Sequence, residues 1–121
     1  MSDKTKNILK WVLGGLIAAL FIFSGIGKFF AEGDNLKQAE AMGLTAANLK
    51  ILGGVEIFAA LLFLNPKTGL VGTFLLMAYM GGAICAHLLS GEDLTPVIVI
   101  EILIWLIAAF RFPELTQRLR S

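Results

Sequence analysis

The chain has 121 residues, 57% of them hydrophobic and 16% charged, with a formal net charge of +1. A soluble domain is nearer a quarter charged, so this balance places the chain in the membrane class and offers no electrostatic footprint for nucleic acid. With one cysteine, Cys85, and one histidine, an intramolecular disulfide, a CxxC relay, a Cys/His zinc site and a bis-His haem are all excluded within one chain.

Four apolar runs follow one another at about 8–30, 46–64, 69–89 and 96–112. A helix needs about 20 residues to cross the hydrocarbon core, and backbone groups in lipid must be satisfied within their own segment. The fold expected is therefore an all-α membrane protein, a four-transmembrane-helix bundle in one domain spanning 1–121. The first run follows Lys4, Lys6 and Lys10. It is longer than a signal-peptide core and no small-x-small site follows it, so it reads as a retained helix. In the loop 31–45, Asp34 or Asn35 can cap a short amphipathic or re-entrant helix through Leu36, Ala39 and Met42, which Gly43 ends. The stretch Asn65-Pro66-Lys67-Thr68-Gly69 reads as a tight turn, and Pro96 suits the first turn of the fourth helix. Small residues recur at helix-packing spacing in Ala78/Gly82/Ala86, Gly14/Ala18 and Gly15/Ala19, and are assigned to contacts between helices.

Charge sets an orientation. With four crossings, the termini and the middle loop share one side, which holds Lys4, Lys6, Lys10, Lys67, Arg111, Arg118 and Arg120. The positive-inside rule makes that side, with both termini, the cytoplasm and puts the short helix on the outer side.

Lys28, Glu56, His87 and Glu101 each interrupt a different apolar run. A charge at bilayer depth costs at least about 2.5–3.5 kcal/mol on insertion scales, so such groups face a bundle interior or a wet cavity. At 1.5 Å per residue, Lys28 and His87 lie within the last turn of their helices, with Glu56 about 15 Å and Glu101 about 8 Å into theirs. All four then fall in the outer half and are expected to converge on one site, to bind a ligand or exchange protons. Helical facing puts Phe21 and Ser24 with Lys28, Phe63 with Glu56, and Trp105 with Glu101, as cavity walls. Two carboxylates and an imidazole exceed what one lysine neutralises, which favours a binding cavity over an ion pair that only staples helices. Cys85 lies nearly opposite His87, against a Cys–His nucleophilic pair. Gly27-Lys28 lacks the rest of a phosphate loop. Trp11 and Tyr79 suit interface or packing roles and specify nothing further. No metal spacing or catalytic triad is present.

The series Ser24-Gly25-Ile26-Gly27-Lys28, Met42-Gly43-Leu44, Gly53-Gly54-Val55-Glu56, Asn65-Pro66 and Ala83-x-x-Ala86-His87 resembles the DoxX-like family of small four-helix bacterial membrane proteins. The resemblance runs from about residue 10 to 112 and carries the family's polar positions onto Lys28, Glu56 and His87. It implies a bacterial cytoplasmic (inner) membrane and a setting near redox, chaperone or cargo-receptor systems, the family taking its name from a subunit of a thiosulfate:quinone oxidoreductase. The lone cysteine departs from thiol-relay relatives. Three readings stay open: a protein whose outer-facing polar cavity binds a small molecule or partner, a quinone-reactive subunit of a redox complex, and a scaffold held by an intramembrane salt bridge. The chain carries no cofactor ligands of its own. On the redox reading the cofactor would be a quinone, and enzymatic chemistry would need a soluble or membrane partner bearing flavin or metal. A homo-oligomer is left open.

Overall fold

The computed structural model describes residues 1–120. They form six helices: α1 (Asp3–Phe29), α2 (Asp34–Ala41), α3 (Ala46–Leu64), α4 (Gly69–Ser90), α5 (Thr95–Arg111) and α6 (Glu114–Arg120), and no strand occurs among the described residues. α1, α3 and α4 are each long and apolar enough to cross a membrane. α5 has 17 residues and reaches that length only if it is counted with α6, from which it is bent by 83°.

The boundaries follow from local chemistry. Ser2 caps α1 by accepting from the Thr5 amide. Thr45 and Asn48 form a reciprocal capping box at the start of α3, the Thr45 side chain accepting from the Asn48 amide and the Asn48 side chain from the Thr45 amide. The turn between α3 and α4 is held by Asn65, which accepts from the Lys67 amide, and by the Thr68 hydroxyl, which donates to the Leu62 carbonyl. The α2 cap differs from expectation. Its N-cap is Gly33, at φ 60°, and Asp34 sits inside the first turn, where a carboxylate is favoured by the helix dipole. Gly43, at φ 83°, ends α2 in a Schellman turn in which its own amide donates to Glu40 and that of Leu44 to Ala39. α5 stops at Arg111 rather than 112, since Pro113 biases the residue before it away from the helical region. α6 was not expected from the sequence.

The long helices pack in the cyclic order α1–α3–α4–α5, with α5 closing back on α1, so α3 and α5 lie across the ring from one another. The core runs through Phe21, Ala60, Phe63, Leu76, Ile104 and Ala108. Large side chains such as Phe23, Phe58, Phe74, Leu88 and Leu106 point outward. Apolar exposure on this scale fits a hydrocarbon solvent and not water.

One close approach in the ring joins α1 to α3. A Cβ built on Gly25 would meet the Gly53 carbonyl oxygen at 2.7 Å, and one on Gly53 would meet the Gly25 oxygen at 2.5 Å. Only glycine at both positions lets these backbones touch, and this crossing sets the geometry of the polar residues beside it.

Candidate functional site

A cavity of about 830 Å³ opens at the end of the ring where α1 finishes and α3 begins. α1, α3 and α4 supply most of its wall, α2 lines it through Asn35, Gln38 and Ala39, with Met42 just after it, and α5 adds Val97 and Ile100. The row Ala78/Gly82/Ala86 belongs to this wall rather than to a helix contact, correcting the packing role expected for it. A Cβ on Gly82 would meet nothing within 4 Å, so the small residues here create volume. Gly14 and Ala18 are buried between helices as expected, but Gly15 borders open space and Ala19 is exposed.

The Gly25–Gly53 crossing places Lys28 one turn beyond it on α1 and Glu56 one turn beyond it on α3. The Lys28 ammonium lies 3.1 Å from both Glu56 carboxylate oxygens and donates to the Ser24 hydroxyl at 2.8 Å. Ser24 in turn donates to Glu56 Oε1 at 3.1 Å. An ammonium has three N–H groups, and here three acceptors take them. The triad is therefore closed: Lys28 has no donor left for a ligand, and Glu56, only 2% exposed, is neutralised where it stands. Tyr79 completes the cluster. Its ring lies 5.8 Å beneath the ammonium and edge-on to Phe21 at 6.2 Å. Sequence reasoning passed over Tyr79; its position next to Met80, on the His87 side of α4, was the available signal.

His87 lies in the last turn of α4 and lines the same cavity. Its Nδ1 is 2.8 Å from the Ala83 carbonyl oxygen. A carbonyl can only accept, so Nδ1 carries the proton and Nε2 is the nitrogen free to accept a hydrogen bond. The Asn35 and Gln38 amides also line the cavity and have no side-chain partner among the described residues. The cavity thus pairs an apolar wall with open hydrogen-bonding groups at one end.

Glu101 does not join this cluster. It lies on the packed stripe of α5 with Val97, Ile104, Ala108 and Arg111, and it does not line the cavity. Its Oε2 is buried with no hydrogen-bond partner, and it forms no ion pair among the described residues. The physical reason is placement: α5 stands across the ring from α3, while Lys28 is drawn to Glu56 by the glycine crossing. With Glu101 elsewhere, the excess carboxylate argued from the sequence disappears, and the cavity is electroneutral when His87 is neutral.

Of the expected walls, Phe21 and Ser24 line the cavity. Phe63 does not. It is seven residues beyond Glu56, about 10 Å further along α3, and is fully buried at the opposite end against Phe112. Trp105 does not either, being 48% exposed in an outward row with Ile98 and Ile102.

A second polar knot occupies that opposite end. Arg111, 9% exposed, donates to the Phe63 and Leu64 carbonyls at 2.8 and 3.1 Å, satisfying the last turn of α3. Its guanidinium lies 4.8 Å from the Phe63 ring centre and 5.0 Å from that of Phe112. It also lies so near Gly14 that a Cβ there would meet it at 2.6 Å. Read from sequence, Arg111 was only a topology charge. No local pattern signalled its second role, which rests on a contact 48 residues away in sequence.

Apolar helices of spanning length around an internal ion pair and a cavity define an integral membrane protein. The DoxX-like family matches residues 12–110, and the chain belongs to that family. No curated protein and no solved structure matches it.

Proposed function

We propose that this single-domain protein crosses a bacterial cytoplasmic membrane four times, with both termini in the cytoplasm, and binds a small molecule or partner segment in the cavity at its outer end. The observation that carries this reading is a cavity of about 830 Å³ in which the ion pair is closed on itself while His87 Nε2, Asn35 and Gln38 stay open. A pure staple needs the Lys28–Ser24–Glu56 triad but no such volume beside it. Ligand pockets typically hold about 300–1,000 Å³ and combine apolar walls with a few placed polar groups. The ligand favoured is neutral and largely apolar with a hydrogen-bonding head, because Lys28 and Glu56 neutralise one another and the rest of the wall is mostly apolar. A quinone fits that description. His87 Nε2 can accept a hydrogen bond from a quinol hydroxyl, and a redox role would need a partner subunit carrying flavin or metal to take the two electrons while both protons leave to solvent through the cavity opening. Glu101 has no part in this site.

The test is mass spectrometry of small molecules that co-purify with the wild-type protein, compared with Ala86→Phe, which fills the cavity, and His87→Ala, which removes its open nitrogen. Both variants should fold and lose the ligand. Retention of the same compound by Ala86→Phe would overturn the cavity reading. For topology, single cysteines at Lys67 and Glu92 in a Cys85→Ser background should react with an impermeant maleimide from opposite sides of the membrane. Labelling of both from one side would overturn the four-span arrangement.

A further inference from the structure

Arg111 is a nearly buried guanidinium with no acidic partner among the described residues. Two of its donors serve the Phe63 and Leu64 carbonyls, and its other neighbours are aromatic faces. A guanidinium has five N–H donors, so three stay uncommitted. A cation held this deep costs free energy unless an anion compensates it. Arg111 also lines a second cavity, of about 210 Å³, together with Asn7, Lys10, Trp11, Pro66 and Phe112. The Lys10 ammonium sits 5.7 Å over the Phe110 ring and has no acceptor among the described residues. The cavity therefore presents two cations, an amide and an indole, and no carboxylate.

We infer that this cavity binds a phosphate oxyanion, supplied by the headgroup of an anionic phospholipid. Arginine's planar fork matches two phosphate oxygens, Lys10 adds a point charge and Asn7 a neutral donor. Lipid is favoured over free phosphate by the surroundings. The cavity opens at the ends of apolar helices, where headgroups lie, and Trp11 is of the type that settles at that level. Ile8 and Val12, 53% and 50% exposed on either side of Lys10 and Trp11, offer the acyl chains a surface. The fixed cations at this end (Lys4, Lys6, Lys10, Lys67, Arg111, Arg118, Arg120) outnumber Asp3 and Glu114, which raises the local concentration of anionic lipid. The site lies at the opposite end from the proposed ligand cavity and does not depend on it.

The experiment titrates purified, detergent-solubilised protein with phosphatidylglycerol or phosphatidylcholine, counting bound lipid by native mass spectrometry. Phosphatidylglycerol should bind more tightly, and Lys10→Gln, at a half-exposed position outside the core, should weaken it about fivefold, the worth of one lysine near an anionic lipid surface. Phosphatidylcholine binding should be unchanged by that variant, and inorganic phosphate should not displace the bound lipid. Equal binding of both lipids, or an unchanged phosphatidylglycerol affinity in Lys10→Gln, would overturn the site. Displacement by inorganic phosphate alone would overturn the assignment to lipid.

Discussion

Removing either half of the Lys28–Glu56 pair should have unequal consequences, because the halves are unequally buried. The Lys28 side chain is 24% exposed and the Glu56 side chain 3%. Lys28→Met leaves a buried carboxylate with one remaining hydrogen bond, from Ser24. Stripping one partner from a buried pair costs about 3–5 kcal/mol. Lys28→Met should therefore lose about 3–5 kcal/mol. Glu56→Gln strands the lysine instead. That side chain already reaches the cavity and can carry its charge toward the opening, so the cost falls to about 1–2 kcal/mol from weakened charge-assisted hydrogen bonds. The double variant should cost no more than Glu56→Gln alone. The assay is reversible SDS unfolding in mixed micelles, followed by circular dichroism. If Glu56→Gln is at least as damaging as Lys28→Met, or if the double variant is additive, the asymmetric closed triad is wrong.

Three further outcomes follow from the same geometry. Gly53→Ala should destabilise the protein by about 1–3 kcal/mol, since its Cβ meets the Gly25 carbonyl oxygen, whereas Gly54→Ala, facing open space, should be neutral or slightly stabilising in the same unfolding assay. Arg111→Gln should lower stability by at least about 2 kcal/mol through loss of its hydrogen bonds to the Phe63 and Leu64 carbonyls, and hydrogen exchange at the last turn of α3 should speed up. Asp93, whose Oδ1 accepts from the Thr95 amide at 3.0 Å, is held below the usual carboxylate range by that bond, so its contribution at the start of α5 should persist on acidification until pH falls through its lowered value, which a carboxyl NMR titration would read.

The sequence by itself determined the class of protein and where its long helices lie, because apolar run length and the cost of unsatisfied backbone in lipid are properties of the chain alone. It also singled out Lys28 and Glu56, since an ionisable residue inside an apolar run is conspicuous without coordinates. Facing within a helix was legible too: the α3 stripe through Gly53, Glu56, Ala59, Ala60 and Phe63 is the buried one. Which helices are neighbours was not legible, and that decided the site. Glu101 has the depth and residue type to join Lys28, yet α5 lies across the ring from α3, and helical periodicity says nothing about ring order. The glycine contact between Gly25 and Gly53 joins α1 to α3 and so gives Lys28 to Glu56. The small row on α4 shows the same limit: Ala78, Gly82 and Ala86 can receive a neighbouring helix or leave a cavity, and only the position of that neighbour settles which. Arg111 depends on a contact 48 residues away in sequence. No local pattern encodes that contact; it exists because the ends of α3 and α5 meet in the folded chain.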